Sequence, residues 1–247
     1  MLLDEIVEKS YKLFESYTIG QTLDVCKRCC ISDADEARLV NTPLREVSSS
    51  VLRSGYFESA RAYTDRELWE MKHFLPRVLE LVSNFDFPCT SVEEVFIRLE
   101  LHKPERWTSE ELQLLQNFSV EFFKKCLSYY PYLPDGDDIS TYLTMFGVAH
   151  FSLKPILNAW INSESIESTL QFKDFIINDI KYHSPNNFEI KNAFAEESTN
   201  TTLSNWLNDA AVKSKFSIKI ERILVENKNL NAETMQELSL VKELLKP

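Results

Sequence analysis

The chain contains very little glycine, the residue that tight turns and phosphate-binding loops require. Only Gly20, Gly55, Gly136 and Gly147 occur among 247 residues, whereas the usual share is about 7%. Because no two of them lie close together, the sequence holds no glycine-rich loop that could cradle a phosphate or a dinucleotide. Tight hairpins also use glycine, so its scarcity disfavours a strand-rich fold. The sequence predicts an all-α protein.

Hydrophobic residues recur with helical periodicity along most of the chain, and they predict about ten to twelve helices. Capping signals mark several helix starts, such as Ser32 followed by Asp35 and Thr64 followed by Glu67. The predicted helices include 23–30, 44–63, 90–101, 138–147, 153–162, 164–182, 188–197, 201–212, 214–227 and 232–246.

One arrangement of helix starts and apolar residues recurs after 44 residues. The capping box at 64–67 is matched at 108–111, and the apolar pattern near Val95 is matched near Ile139. A period in the 40s is typical of two-helix HEAT and armadillo repeats, and the layout over 64–147 resembles that architecture. We therefore expect stacked antiparallel helix pairs that form an α-α superhelix.

An irregular helical bundle is the alternative architecture, because the repeat is degenerate and carries no family signature residue. In either case the sequence predicts a single helical domain over 1–247, with a soft boundary near 131–137.

The chain is acidic, with a formal net charge of −11. A field of that sign repels nucleic-acid backbones and anionic lipid headgroups, so we expect neither as a partner. A basic protein partner would be attracted instead. The N-terminal residues do not form a secretory signal, and no apolar run reaches the length of a membrane span. These features predict a cytoplasmic protein.

Three cysteines, Cys26, Cys29 and Cys30, form the most suggestive chemical cluster. A Cys-x2-Cys spacing can bind one zinc ion, and the neighbouring Lys27 and Arg28 favour thiolates. A full site needs further ligands, so two other interpretations stay open. The thiols could be reactive or redox-active, or Cys26 and Cys30 could form a buried helical stripe as small hydrophobes.

Four polar residues on one predicted helix, Glu70, His73, Arg77 and Glu80, are candidates for lining a cleft. Glu70-x-x-His73 has the spacing of di-iron ligands, but those sites use the motif twice and this chain has it once. No catalytic residue is predicted.

A turn rich in tyrosine and aspartate is the candidate partner-binding surface. Tyrosine offers a large contact area at modest entropic cost, and nearby carboxylates would complement a basic partner. The candidate residues are Tyr129, Tyr130, Tyr132, Asp135, Asp137 and Asp138.

Together these features favour a non-enzymatic helical-repeat interaction protein, of the adaptor or immunity type, that binds a protein partner and needs no cofactor. A basic partner fits the charge best. The alternative is a metal-dependent or thiol enzyme built on Cys26, Cys29 and Cys30. A third hypothesis is a small-molecule sensor with an apolar cavity between helices.

Overall fold

A computed structural model describes residues 2–61, 64–184, 187–226 and 230–246. These residues are mostly helical, which confirms the all-α prediction. None of the helices within the described ranges combines the length and apolar character needed to cross a lipid bilayer.

The chain divides into two compact units. The first comprises residues 1–122 and 149–151, and the second comprises residues 123–148 and 152–247. The boundary expected near 131–137 therefore lies inside the second unit, and the single domain stays a prediction.

The first unit contains four helices and most of a fifth among its described residues. Between them lie short 3-10 turns and one π-helical turn, which replace regular helix over long stretches. The helices are α1 (Leu3–Leu13), α2 (Asp33–Asn41), α3 (Ser49–Leu52), α4 (Asp65–Ser83) and α5 (Ser109–Cys126), whose last turn belongs to the second unit. The turns are Leu44–Glu46, Arg53–Phe57, Val92–Glu94, Ile97–Leu99 and Pro104–Arg106.

The second unit contains six helices and one hairpin among its described residues. The helices are α6 (Ile139–Val148), α7 (Leu153–Asn162), α8 (Ile166–Asp179), α9 (Glu197–Asn208), α10 (Ala210–Glu226) and α11 (Ala232–Leu244). The strands β1 (Ile180–Ser184) and β2 (Asn187–Ile190) pair antiparallel, with Ile180 opposite Ile190.

Predicted helices fail where tertiary contacts decide the backbone. Over 23–30 the chain turns, because Val25 pairs with Ala60 in a β-bridge. The helix predicted over 44–63 is interrupted: the segment forms a 3-10 turn, the short helix α3 and a π-helical turn, and residues 62–63 lie outside the described part. Over 90–101 the chain forms two 3-10 turns, and Glu100 ends them with a left-handed φ of 48°.

The helix predicted over 188–197 is wrong, because its first residues form β2. Burial alternates along this segment, as in a strand, because Phe188 and Ile190 are buried. Side chains of α9 satisfy the backbone of this strand. Asn208 Oδ1 accepts from the Phe188 amide at 3.0 Å, and Ser204 Oγ accepts from the Ile190 amide at 2.9 Å. These bonds satisfy backbone groups that a strand edge would otherwise leave unpaired.

The 44-residue repeat is present only in its first helix. Helices α4 and α5 begin at Asp65 and Ser109, and a threonine hydroxyl caps each: Thr64 Oγ1 accepts from the Glu67 amide at 2.9 Å, and Thr108 does the same for Glu111 at 3.2 Å. The second helix of the pair exists as α6, whereas the matching segment of the first copy forms 3-10 turns. A HEAT-like superhelix stays a prediction.

A buried ion pair joins α4 to α5 inside the first unit. Lys72 Nζ lies 3.1 Å from a Glu111 oxygen, and both side chains are about 95% or more buried. Lys72 also donates to the Arg106 carbonyl at 2.8 Å, and the Tyr17 hydroxyl donates to Glu111 at 2.6 Å. Burial alone would raise the pKa of Glu111, but these donors and the Thr108 amide hold it below its ordinary value. The carboxylate is therefore ionised at neutral pH.

An aromatic core holds the second unit together around Trp160. Its indole ring stacks on Trp206 at 5.6 Å between centroids and meets Phe172 edge-on at 5.8 Å. Phe172 in turn stacks on Phe216 at 3.6 Å. The buried indole nitrogen donates to the Ser168 carbonyl at 2.9 Å, so it leaves no unmet donor.

We expect Glu111→Gln to lower the free energy of unfolding by about 3 kcal/mol, because it leaves the buried Lys72 without an anionic partner. The matched control is the adjacent Glu110→Gln. Glu110 pairs with Lys9 on the surface, and its loss should cost less than about 1 kcal/mol. Urea unfolding of both variants tests this; equal effects would contradict it.

Gly147 in α6 lies against Thr199 in α9, so a Cβ at position 147 would lie 2.5 Å from Thr199 Cγ2. We expect Gly147→Ala to destabilise the protein by about 1–3 kcal/mol through overpacking, despite the better helix propensity of alanine. Adding Thr199→Ala removes the closest atoms and should recover part of the loss. Thermal unfolding of the single and double variants measures the energetic coupling between positions 147 and 199. Additive effects of the two substitutions would contradict the overpacking explanation.

Candidate functional site

The candidate site is a groove in the second unit between the turn after α5 and helix α8. Gln171 on α8 holds this turn, since its amide nitrogen donates to the Cys126 carbonyl at 2.9 Å and the Tyr129 carbonyl at 2.5 Å. At the far end of the turn, Asp138 caps α6 by accepting from the Thr141 amide at 2.9 Å. The walls of the groove are therefore fixed by hydrogen bonds from regular helices.

The groove encloses about 360 Å³ and combines apolar walls with acidic groups. Its acidic residues come from two parts of the chain, the turn and the C-terminal half of α8. The residues lining it are Pro131, Tyr132, Leu133, Gly136, Asp137, Asp138, Ile139, Gln171, Asp174, Phe175, Asn178 and Asp179.

Four aspartates and no lysine or arginine occur among the described residues that line this groove. Lys173, a buried neighbour on α8, forms an ion pair with Asp174. Lys173 is shared, because it also lies 2.5 Å from a carboxylate oxygen of Glu237. The residues that line the groove therefore carry a negative formal charge.

Asp179 is an acid of the groove with a perturbed pKa. Burial raises its pKa to about 6, repulsion from Asp138 adds to the effect, and the Ser140 hydroxyl, which donates at 3.0 Å, opposes it. On its other side Asp179 lines a cavity of about 210 Å³ together with Lys191. Lys191 is paired with Glu189 at 2.9 Å. At neutral pH an ionised, partly desolvated carboxylate thus faces the groove.

The tyrosines of the predicted partner-binding turn differ in exposure. Tyr132 is 78% exposed and lines the groove, while Tyr129 and Tyr130 are half-buried. Asp135 accepts a hydrogen bond from the buried Tyr142 hydroxyl, which fixes the turn. Of the predicted set, Tyr132, Asp137 and Asp138 meet in the groove.

Sequence reasoning missed Asp174 and Asp179, which lie far along the chain from the turn. The available signal was a polar stripe on α8, because Gln171, Asp174 and Asn178 recur at helical spacing. Nothing in the sequence indicates that this stripe faces the turn, since the packing of α8 decides it.

The predicted cleft residues on α4 bind the backbone of neighbouring segments. Both carboxylate oxygens of Glu70 accept from the Asp24 amide at 2.9 and 3.0 Å. His73 Nδ1 lies 2.7 Å from the Tyr17 carbonyl, and burial lowers its pKa. These contacts account for the polar character of this part of α4.

Arg77, one turn further along, binds backbone in the same way, whereas Glu80 pairs with side chains. The Arg77 guanidinium donates to the Val47 carbonyl and to Glu80, each at 2.7 Å. Glu80 also accepts from the Tyr11 hydroxyl.

The three clustered cysteines lie on the surface of the first unit. Cys29 and Cys30 are exposed and Cys26 is half-exposed, so the buried helical stripe is wrong. The sulfur of Cys29 lies 3.7 Å from that of Cys26 and 3.4 Å from that of Cys30. Hydrogen bonds from the Arg28 amide and the other thiols lower the pKa of Cys26, while its neighbouring thiols raise that of Cys30 to about 11.

The raised pKa of Asp179 gives a stability prediction. Folding strengthens proton binding here, so the stability that this group contributes is present at low pH and is lost as pH rises through about 6. We expect Asp179→Asn, which still accepts from Ser140, to raise the free energy of unfolding by about 1–2 kcal/mol at neutral pH after allowing for partial exposure. The gain should shrink on acidification.

Urea unfolding as a function of pH measures this effect, with Glu243→Gln as a control on an exposed pair with Lys246. A gain for Asp179→Asn that does not change with pH would contradict the assignment.

Comparison of the chain with protein-family models, with curated proteins and with solved structures finds no match.

Proposed function

We propose that this chain is a non-enzymatic interaction protein whose acidic groove binds a basic segment of a protein partner. The observation that carries the proposal is the lining of the groove: four aspartates, an exposed tyrosine and no basic residue among its described members.

The groove suits the two chemical parts of a lysine or arginine side chain. Its volume lies at the lower end of the roughly 300–1,000 Å³ range of binding pockets, enough for a few side chains. Leu133, Ile139 and Phe175 offer apolar surface to the methylene stem. The carboxylates meet the charged head, and Tyr132 can stack on a guanidinium.

Asp179 supports the proposal through its energetic cost. Half-buried and ionised at neutral pH, it destabilises the folded protein, and such perturbed groups cluster at functional sites. A cation in the groove would offset the repulsion between Asp179 and Asp138. Binding of a basic partner would therefore raise the free energy of unfolding of this protein.

The proposal also includes electrostatic steering of the partner, a HEAT-like contact surface and an adaptor or immunity role. The acidic charge of −11 would steer a basic partner to the groove and speed association. Stacked helix pairs of the HEAT type would extend the contact surface beyond the groove. An adaptor or immunity-type protein that neutralises a basic partner has both properties.

The test uses a groove variant, Asp138→Asn with Asp174→Asn and Asp179→Asn, in which asparagine preserves side-chain size and the cap on α6. Its control removes the same charge from three exposed sites outside the groove, Glu197→Gln, Glu233→Gln and Glu243→Gln. We expect the Kd for a fluorescein-labelled hexa-arginine peptide, read by anisotropy at about 0.15 M ionic strength, to rise roughly tenfold in the groove variant.

The control should bind the peptide like the natural protein, and Tyr132→Ala should weaken binding roughly threefold. Affinity capture from the native organism should then retain a basic protein near one-to-one on the natural chain and the control, but not on the groove variant. Equal weakening of peptide binding in both triple variants would show that net charge, and not the groove, attracts cations.

A further inference from the structure

The segment around the three cysteines is held firmly at both ends by the core of the first unit. Leu23, Val25 and Ile31 are buried on either side of the cluster. The Cys26 amide donates to the Ser59 carbonyl at 2.7 Å. The thiols are thus carried by a loop whose position is set by burial and backbone pairing, which limits the ordering cost of any ligand that joins them.

Further bonds close the loop on itself. The Cys30 amide donates to the Cys26 carbonyl at 3.2 Å, so the chain turns back and brings the first and last thiol together. Lys27 Nζ lies 2.7 Å from a carboxylate oxygen of Glu36 and 3.0 Å from one of Asp33. Its charge is compensated by these two carboxylates and does not oppose a cation at the thiols.

The sulfur atoms have the spacing of ligands around one metal ion. All three lie within 4.8 Å of one another. With zinc–sulfur bonds of about 2.3 Å, two sulfurs of a tetrahedral site are about 3.8 Å apart, close to the 3.7 Å between Cys26 and Cys29. A disulfide would need a sulfur separation of about 2.05 Å, and the structure holds all three as free thiols.

We propose that Cys26, Cys29 and Cys30 bind one zinc ion through three thiolates, with the fourth position open to water or to a ligand from another molecule. Thiolates select soft and borderline ions such as zinc over magnesium or calcium. The exposure of Cys29 and Cys30 gives an ion direct access. On binding, each coordinating thiol releases its proton to the solvent, and no oxidant or reductant takes part.

This zinc site is independent of the acidic groove, which lies in the other unit. Zinc that binds the folded loop and not the unfolded one would stabilise the first unit by an amount that grows with the logarithm of the ratio of free zinc to Kd. The groove variant should therefore bind zinc like the natural protein, so failure of one proposal leaves the other intact.

The experiment titrates the reduced, metal-free full chain with Co²⁺, whose thiolate charge-transfer and ligand-field bands report sulfur ligation, and then displaces it with Zn²⁺. We expect one ion per chain, tetrahedral cobalt bands, and a rise in Tm when zinc is added. Cys29→Ser should weaken binding by more than the roughly 10–100-fold typical of losing a residue that only hydrogen-bonds to a metal ligand. The matched control is Cys89→Ser, which should bind normally, because Cys89 lies outside the cluster.

Cys30→Ser is a second ligand variant, and circular dichroism confirms that each variant folds. The absence of sulfur-to-cobalt bands from the folded natural protein would overturn the proposal. So would unchanged zinc affinity in both folded cysteine variants. Loss of two thiols to a disulfide on mild oxidation, with no metal bound at any stage, would assign the cluster to redox chemistry instead.

Discussion

Polar side chains of α4 fix the backbone of segments that have no regular secondary structure, and the first unit depends on these bonds. Arg66 donates to the Thr22 carbonyl at 2.6 Å, and Trp69 donates to the Thr18 carbonyl at 2.8 Å. Glu70, His73 and Arg77 bind other backbone groups in the same way. A chain with so little glycine has few tight turns available, and long side chains on a central helix take over the task of holding its loops.

The second unit uses the same principle with different residues. Lys219 on α10 donates to the Ile161 and Ser163 carbonyls at the end of α7, at 2.8 and 2.6 Å. These are carbonyls that a helix end leaves without partners, and burial lowers the pKa of this lysine to about 8. Gln171 holds the turn that forms one wall of the groove. The groove is thus a product of the same side-chain-to-backbone bonding that orders the fold.

The sequence predicts those helices whose backbone is decided by neighbouring residues, and it fails where contacts distant in the chain decide the backbone. Helices α4, α5 and α7 carry strong local signals: the predicted starts of α4 and α5 and the predicted range of α7 agree with the structure. The segments 23–30 and 90–101 also have apolar spacing suited to a helix, but contacts distant in the chain, such as Val25 with Ala60, decide their backbone. Periodicity within a short window carries no information about such partners.

For the same reason, the sequence predicted only some of the residues that line the groove. Tyr132, Asp137 and Asp138 lie on one turn, and turn chemistry indicates their exposure. Asp174 and Asp179 join them only through the packing of α8. For the cysteines, one interpretation of the sequence was a buried helical stripe. The chain forms a turn there instead, and Cys29 and Cys30 are exposed.

The close approach of α6 and α9 restricts how this protein can change over evolutionary time. With a Cβ at 147 only 2.5 Å from Thr199, a larger residue at position 147 is less destabilising once position 199 has become smaller. The two sites should therefore vary together among descendants of a common ancestor. Because no catalytic motif marks this chain, such paired substitutions offer a way to recognise distant kin by their packing.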